Sequence, residues 1–387
     1  MTFIYRVRVG LLFFVAYLSQ SPVLAFYLGV SNGQLFLLSA ALFIVMNLSS
    51  IKERLSTFIF LILFLLSIIL FVFLSESLLL FNRLIVIPIS LCILLCIRRS
   101  KTIIGDTVTL ASIFGLLAVF CSVIGFFYAF MGGEPTLEIL NNDGRKNYLY
   151  LTTFSNSITM FFVRPSFIYD EPGALSFMLC SIVFLRVLLG RSKKITILIL
   201  FGGLITFSLA HIVICVLFIL TSAKRGFILF SIIFFTVGVA YTSQMDEFSF
   251  FYKRFDVSEG RMAGDNRSQQ YSNFIKAIND KNDIYLYGNV SCFESGINDC
   301  AKSHGDISSS LVTPIYKAGV LALFYQSLMI FISFFFWLSN KNTTFPLVGI
   351  VLLLAQRPLY FDPGYALIIV LVVFAPLILS YHKRFKI

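Results

Sequence analysis

Residues 57–75 read TFIFLILFLLSIILFVFLS, an apolar stretch without a charged side chain. A helix of about 20 apolar residues can cross the hydrocarbon core of a membrane. The rest of the chain has the same character: 58% of its 387 residues are hydrophobic, 13% are charged, and the mean hydropathy is +0.90. Ordinary soluble domains contain about 45–50% apolar and about 25% charged residues. The composition therefore excludes a soluble globular enzyme and indicates an all-α, polytopic membrane protein.

The chain is predicted to contain twelve spans, each an apolar run bounded by polar residues. Their approximate bounds are 9–30, 33–50, 57–75, 78–97, 105–130, 171–189, 195–208, 209–222, 226–243, 311–338, 344–356 and 364–381. The seventh and eighth could form one long helix, but Gly202 and Gly203 favour a break into two. The first could be a signal peptide cleaved at Val23-Leu24-Ala25, although an apolar run that continues through Val30 favours a retained anchor.

Lysine and arginine predict which ends of the spans face the cytoplasm. With the N-terminus inside, most lysines and arginines that flank the spans fall on the cytoplasmic side. They are Arg6, Arg8, Lys52, Arg54, Arg98, Arg99, Lys101, Arg191, Lys193, Lys194, Lys224, Arg225, Lys341, Lys383, Arg384 and Lys386. The short outer loops carry almost none, and Arg357 is the exception. The C-terminus is therefore expected inside too, and the net charge of +11 indicates membrane anchoring rather than nucleic-acid binding.

Two long polar segments, 131–170 and 244–310, fall on the outer side. The second is the only stretch long enough for a small folded domain. The expected organisation is a bundle of nine spans (1–243), a large loop subdomain (244–310), and three final spans with the tail (311–387). The sequence contains no internal repeat.

The large loop carries two local predictions. Tyr271, Phe274, Ile275 and Ile278 follow helical spacing within 267–279, which predicts an amphipathic helix that buries these side chains. Cys292 and Cys300 stand in the same loop, whereas the other five cysteines lie in apolar runs. If the loop faces an oxidising compartment, these two are expected to form a disulfide.

Few residue types are available for chemistry. The three histidines lie far apart, and polar segments contain no His-x-x-His or Cys-x-x-Cys pair, so we expect no metal centre. Neither a Walker loop nor a GxGxxG stretch precedes a helix, so we expect no nucleotide cofactor. Any reaction must use carboxylates, arginines and His304.

The most informative stretch, Arg164-Pro-Ser-Phe-Ile-Tyr-Asp-Glu-Pro-Gly173, opens a span at its outer end. Pro172 suits the first helical position, and the helix dipole favours acidic groups before it. Alternatively, a carboxylate of the Asp170–Glu171 pair is a general base for a sugar hydroxyl. Arg164 would then bind phosphate, because a planar guanidinium bonds two oxygens. The residues alone leave both interpretations open.

Other charged residues offer weaker candidates. On the outer side these are Arg254, Arg261 and Arg267 in the large loop, His304 and Asp306 before the tenth span, and Arg357 with Asp362-Pro-Gly364. The loop arginines could form an anion clamp, and Asp362-Pro-Gly is most simply a helix start. Lys317 is an intramembrane charge and so a functional candidate. Arg83 and Arg186 are expected to snorkel to span ends, and His211 to satisfy helix–helix hydrogen bonds.

In their order, these motifs resemble those of Wzy-type O-antigen and capsule polymerases and the related O-antigen ligases. The matching residues are Arg164, Phe167 and Glu171-Pro172-Gly173; Thr206-Phe-Ser208; the loop arginines with Tyr285-Leu-Tyr287-Gly288; and His304 with Tyr316-Lys-Ala-Gly319. The match runs from about Arg164 to Gly319, and the first five spans match only in being hydrophobic. His211 departs from the pattern, since members often have glycine there.

The resemblance implies an inverting, GT-C-like glycosyltransferase of the bacterial inner membrane that needs no metal, its large loop periplasmic. The donor would be a growing glycan on undecaprenyl diphosphate, and the acceptor a new oligosaccharide unit on the same lipid. A flippase and a chain-length regulator are implied partners. Implied roles are diphosphate binding for Arg164, Arg254, Arg261 and Arg267; base for Glu171, or else His304 or Asp306; and sugar binding for Tyr271, Tyr285 and Tyr287.

Three other functions compete with this expectation. An O-antigen ligase, which attaches the finished chain to lipid A-core, shares the same motifs. A lipid-linked oligosaccharide flippase also has about twelve spans, but it would carry charges through the bundle and lack a long outer loop. A sensor that binds through the loop would need a cytoplasmic output domain, which no segment of this sequence supplies.

Overall fold

A computed structural model describes most of the chain. The described residues are 3–19, 21–28, 32–47, 55–75, 78–97, 101–140, 146–156, 158–159, 162–222, 257–258, 261–262, 266–280, 283–289, 305, 307, 310–339 and 343–384. The predicted span 226–243 lies outside them. Helices occur within each of the other eleven predicted spans.

The helices are numbered in chain order. The first seven are α1 (Phe3–Leu18), α2 (Pro22–Leu28), α3 (Asn32–Asn47), α4 (Leu55–Ser75), α5 (Leu78–Leu84), α6 (Val86–Ile97) and α7 (Lys101–Phe130). The next five are α8 (Pro172–Leu188), α9 (Lys193–Gly202), α10 (Leu209–Ser222), α11 (Asn266–Asp280) and α12 (Asp283–Tyr287). The last three are α13 (Thr313–Ser339), α14 (Thr344–Gln356) and α15 (Pro363–Arg384).

The bundle has the character of a membrane protein. Within the described residues, three helical stretches are long and apolar enough to cross a membrane: Leu80–Ile97, Thr102–Phe130 and Thr313–Leu338. Shorter apolar helices surround them, and large apolar side chains such as Leu63, Phe73 and Phe120 are more than half exposed. An outward-facing apolar surface of this kind suits lipid rather than water. The count of twelve spans stays a prediction.

Helix α8 lies at the centre of the bundle. Every residue from Pro172 to Arg186 is buried, and the helix contacts α7, α9, α10, α14 and α15. Helix α15 is buried along most of its length and contacts α1, α3, α6, α8, α13 and α14. The starts of these two helices, at Pro172 and Pro363, therefore fix the positions of the residues that immediately precede them.

The predicted break between the seventh and eighth spans is confirmed. Helix α9 ends at Gly202, a 3-10 turn covers Gly203–Thr206, and Phe207 adopts a left-handed conformation with φ of 48°. The expected helix–helix bonds of His211 are also present: Nε2 donates to the Leu200 carbonyl (2.6 Å), and Nδ1 lies 3.1 Å from the Ser176 hydroxyl. A Cβ on Gly203 would lie 2.5 Å from His211 Nε2, so this glycine makes room for the imidazole.

Segment 131–170 contains a small sheet that the all-helical expectation left out. Strands β1 (Leu137–Leu140), β2 (Lys146–Tyr150) and β3 (Thr153–Ser155) are antiparallel, in that order, with Leu137 opposite Leu149. Two shorter hairpins pair β4 (Ile158–Thr159) with β5 (Phe162–Val163), and β6 (Val257–Ser258) with β7 (Arg261–Met262). Tyrosine, threonine and phenylalanine favour strands, and the sheet is anchored because Thr152 Oγ1 donates to the Cys121 carbonyl of α7.

The amphipathic helix in the large loop exists as α11, and the predicted apolar face is buried in part. Tyr271 and Ile275 are exposed, whereas Gln270, Asn273 and Phe274 are buried. Phe274 and Ile278 pack in an apolar cluster with Ala277, Ile284 and Tyr316, and the side-chain amide of Asn273 lies against Gly305, where a Cβ would meet its Cγ at 2.9 Å. A pattern that assigns every polar side chain to the solvent could not anticipate this contact.

The predicted span 311–338 is kinked rather than continuous. Within α13, Ala318 and Gly319 leave helical geometry, and Gly319 has φ of 64°. Helix α12 docks at this kink, where the Asn289 amide donates to the Tyr316 carbonyl (2.7 Å). Arg83 Nη1 donates to the Lys317 carbonyl (3.0 Å). Protein donors thus satisfy carbonyls that the kink releases.

Candidate functional site at one end of the bundle

Glu171 forms an ion pair across the bundle. It occupies the N-cap position of α8 with extended backbone, but its side chain makes no capping hydrogen bond. Instead, Nη1 of Arg357 donates to Oε1 of Glu171. The two side chains are 24% and 20% exposed, so the pair is neither sealed nor freely solvated. The helix start was correctly predicted at Pro172, while the carboxylate is used for a partner 186 residues away.

Gly173 makes room for the guanidinium. A Cβ at this position would lie 2.6 Å from Cζ and 2.8 Å from Nε of Arg357, which is closer than real Cβ contacts. Arg357 itself follows the last residue of α14 and has extended backbone. The guanidinium therefore rests on the bare backbone of the first turn of α8, beside the carboxylate that precedes it.

Further charges surround this pair. The carboxylate of Asp362 acts electrostatically on Arg83, and the buried ring of Tyr365 interacts electrostatically with Asp170, Asp362 and Arg357. We define the acid–arginine cluster as Arg83, Asp170, Glu171, Arg357 and Asp362. It brings together the end of α5, the starts of α8 and α15, and the residue after α14. Partly buried ionisable groups are costly unless paired, and such clusters are common at functional sites.

Arg164 lies beside a second element at the same end of the bundle. Its Nε and Nη2 atoms donate to the carbonyls of Thr206 and Phe207 at 3.2 and 3.1 Å. Both Phe207 and Phe167 adopt left-handed backbone conformations, with φ of 48° and 55°. Such conformations are uncommon for aromatic residues and cluster at functional sites. Arg164 thus joins the segment before α8 to the turn after α9.

The six residues between Arg164 and Glu171 are held firmly. Ser166 Oγ donates to the Phe154 carbonyl, and the Phe167 amide donates to Thr153 Oγ1 (2.7 Å). The Tyr169 hydroxyl donates to the Tyr17 carbonyl at 3.3 Å. The small sheet and α1 therefore fix the path that connects the two predicted site residues.

A small apolar groove includes Gln356, the residue before Arg357 of the acid–arginine cluster, in its lining. It has a volume of about 170 Å³ and lies between α10 and α14. Its lining residues are Leu209, Ala210, Val213, Ile214, Leu352, Leu353 and Gln356. Gln356 immediately precedes Arg357 in the chain, and Leu209 lies two residues after Phe207, whose carbonyl Arg164 binds, so the groove is lined in part by residues that neighbour both of these segments.

The tyrosines assigned to sugar binding lie in different environments. Tyr271 on α11 and Tyr285 on α12 are 56% and 45% exposed. Tyr287 is partly buried, and its ring centroid lies 5.4 Å from that of Phe71 on α4. Two of the three rings are therefore accessible, whereas the third attaches α12 to the bundle.

Several predicted site residues fall outside what the structure describes. Arg254, His304, Asp306, Cys292 and Cys300 are not among the described residues, and for Arg261 in β7 and Arg267 in α11 only the backbone is described. The diphosphate clamp, the alternative bases and the disulfide stay predictions. Among the residues that are described, no three His, Cys, Asp or Glu side chains form a group that could hold a metal ion.

The opposite end of the bundle is basic and structurally distinct. Helix α7 is about 45 Å long, and near its start Arg6 pairs with Asp106 at 2.6 Å and Arg191 Nη2 donates to the Gly105 carbonyl at 2.6 Å. Arg186 does not snorkel as expected: it is only 4% exposed, and it donates to Ser112, Thr196 and the Ser192 carbonyl. Polar groups of α7 and α9 satisfy it within the protein.

Arg357 is the site residue whose role the sequence did not reveal. The signal was present, because it is the one basic residue that breaks the charge asymmetry of the short loops. Comparisons with known proteins add no assignment: no family model matches the chain, and neither a curated protein nor a solved structure matches it.

Proposed function

We propose that this protein is a membrane glycan polymerase. It transfers a growing polysaccharide from undecaprenyl diphosphate to a new oligosaccharide unit on the same lipid. The observation that carries the proposal is the Glu171–Arg357 pair, a carboxylate and a guanidinium held together at one end of an apolar bundle. Bond formation requires a base for the acceptor hydroxyl and a cation for the departing diphosphate, and this end of the bundle supplies both types of group.

The proposed reaction inverts the donor sugar. The acceptor oxygen bonds to the anomeric carbon as the bond from that carbon to the diphosphate oxygen breaks, and the leaving diphosphate takes the electron pair. Glu171 accepts the hydroxyl proton, with His304 and Asp306 as the alternative bases. Arg164 and the loop arginines, Arg254, Arg261 and Arg267, stabilise the diphosphate as its charge develops, because guanidinium forks bond phosphate oxygens.

The surroundings of the site fit substrates that arrive from the bilayer. The apolar groove between α10 and α14 opens beside Gln356 and gives an isoprenoid chain a route to the charged end. The exposed rings of Tyr271 and Tyr285 offer flat faces on which sugars stack. The proposed mechanism needs neither a nucleotide nor a metal ion.

The basic end of the bundle supports the proposed topology. Arg6 and Arg191 lie near the start of α7, as expected of the cytoplasmic side. The acid–arginine cluster would then lie at the periplasmic side of the bacterial inner membrane, with twelve spans in a GT-C-like arrangement. A cysteine placed at residue 138 of the small sheet should react with an impermeant thiol reagent in intact spheroplasts.

The direct test is elongation of synthetic undecaprenyl-diphosphate repeat units by the purified protein, with and without EDTA. We expect a ladder of longer glycans in both conditions, and no ladder with Glu171→Gln. A ligase would instead move the glycan to lipid A-core, and a flippase would move the labelled lipid across liposomes without lengthening it. Either of those results would replace the polymerase assignment.

A further inference from the structure

We propose that Arg357 is a shared, displaceable partner: it masks the carboxylate of Glu171 until a lipid diphosphate binds and draws the guanidinium away. The inference rests on the proposed function and assigns to Arg357 a role at the same site. Arg357 would bind the diphosphate directly and would make the base available only when the donor is present.

The ion pair provides the chemical reason. A guanidinium beside a carboxylate stabilises the charged form, so the paired Glu171 is a weak acceptor for a hydroxyl proton. A diphosphate carries more negative charge than one carboxylate and offers oxygens at the spacing of the guanidinium fork. It therefore competes well for Arg357. Once Arg357 turns to the diphosphate, Glu171 loses its countercharge in a half-buried setting and becomes the stronger base.

The geometry allows this exchange. Arg357 has a flexible side chain and stands at the end of α14 rather than within it, and its guanidinium lies over Gly173, a residue without a side chain. The pair is partly open, with 20% of the arginine side chain exposed. Gln356 lines the apolar groove and directly precedes Arg357, so an isoprenoid chain that enters the groove from this end would have its diphosphate near Arg357.

The exchange also orders the reaction. Donor binding precedes activation of the base. Before the donor binds, water or a free acceptor therefore meets a carboxylate that is still paired with Arg357. When the sugar is transferred, Glu171 takes the acceptor proton, and the diphosphate separates from the sugar while it is bound to Arg357. Departure of the lipid diphosphate returns Arg357 to the carboxylate after the proton is released, which resets the site.

Binding of radiolabelled undecaprenyl diphosphate to the full-length protein in nanodiscs tests the proposal without requiring turnover. Competition between two anions for one guanidinium predicts that Glu171→Gln binds the lipid about three- to tenfold more tightly, because its neutral amide holds Arg357 less firmly. Arg357→Ala should bind more weakly, and the double variant should bind no better than Arg357→Ala. Arg357→Lys, which keeps the charge, gives an intermediate affinity and serves if the alanine variant does not fold.

The matched control is Asp106→Asn, which breaks the arginine–carboxylate pair at the opposite end and should leave the affinity unchanged. Equal or weaker binding by Glu171→Gln would overturn the shared-partner proposal, while wild-type elongation would leave the polymerase standing. Conversely, a wild-type protein that binds the lipid and lengthens nothing would defeat the proposed function, whatever the affinities of the variants.

Discussion

The guanidinium of Arg164 donates from Nη2 to the carbonyl oxygen of Phe207 across 3.1 Å, and a second bond reaches the carbonyl of Thr206. These carbonyls end a helical segment, where unpaired C=O groups carry partial negative charge. A cation at this position is stabilising, as it is at many helix C-termini. Arg164 therefore holds the turn after α9, in addition to the diphosphate binding that we propose for it.

Replacing Arg164 should affect both stability and activity. Arg164→Ala removes the partner of two carbonyls, so the free energy of unfolding should fall by about 1–3 kcal/mol. Chain elongation should be lost, because the turn moves and a cation is missing from the diphosphate site. Thermal unfolding in detergent and the elongation assay measure the two effects separately.

Arg191→Ala is the matched control for Arg164. Its Nη2 also donates to a backbone carbonyl, that of Gly105, but at the basic end of the bundle. We expect this variant to lose stability and keep elongation. Normal long chains made by Arg164→Ala would remove Arg164 from the mechanism and leave it only the structural role.

Gly173→Ala should lower activity without unfolding the protein. The new methyl group would lie 2.6 Å from Cζ of Arg357, and the long side chain can move aside while the helix stays intact. Elongation should fall at least tenfold, because Arg357 would lose its place beside both Glu171 and the diphosphate, a loss of about 1.4 kcal/mol or more. Gly10→Ala is the control, since the nearest atom to its Cβ is 4.0 Å away. Unchanged elongation by Gly173→Ala would show that the position of the guanidinium is unimportant.

The sequence predicted what depends on local physics. Pro172 and Pro363 begin helices as expected, because proline suits the first turn and needs no amide partner there. The break at Gly202 and Gly203 was also predicted, since glycine weakens a helix and Lys224 would otherwise fall on the outer side. These features are decided by a few neighbouring residues and by the charge of the next loop.

Features that depend on long-range packing were missed. Glu171 and Arg357 are 186 residues apart, and only the packing of α14 on α8 brings them together. Arg186 was expected to reach the membrane surface, yet hydroxyl and carbonyl groups from α7 and the turn before α9 satisfy it inside. Hydrophobic periodicity gives no information about which buried polar groups will meet, so neither contact could be inferred.

Gly319→Ala should release α12 from the bundle. The residue has φ of 64°, and a Cβ would lie 2.7 Å from the amide nitrogen of Tyr287. With ψ of −156°, this residue lies in a backbone region that essentially only glycine adopts, which costs another residue about 1–3 kcal/mol, and the backbone contact cannot yield as a side chain would. Limited proteolysis should cut the large loop faster. Gly132→Ala separates the effect of a positive φ from the effect of the contact with α12, because its φ is 86° but nothing lies within 4 Å of its Cβ position. Equal proteolysis of both variants would exclude the contact with α12 as the cause.

Cys292 and Cys300 are expected to be bridged when the large loop faces the periplasm. The disulfide would close a loop of nine residues and restrict the unfolded loop. An impermeant maleimide should therefore label neither cysteine in intact spheroplasts until a reductant is added. Cys292→Ser should expose one reactive thiol at Cys300. Labelling of both cysteines without a reductant would show that the bridge is absent.

Replacing the exposed Tyr271 and the partly buried Tyr287 should have different effects on the melting temperature. Tyr271 is 56% exposed, so Tyr271→Ala should leave the melting temperature nearly unchanged and raise the KM for the acceptor several-fold, as expected when a stacking face for sugar is lost. Tyr287→Ala removes the ring contact with Phe71 and should also lower the melting temperature, because α12 loses an attachment to α4. Elongation rates over a range of acceptor concentrations, with melting curves for each variant, separate these effects. An unchanged KM for Tyr271→Ala would take that ring out of the sugar path.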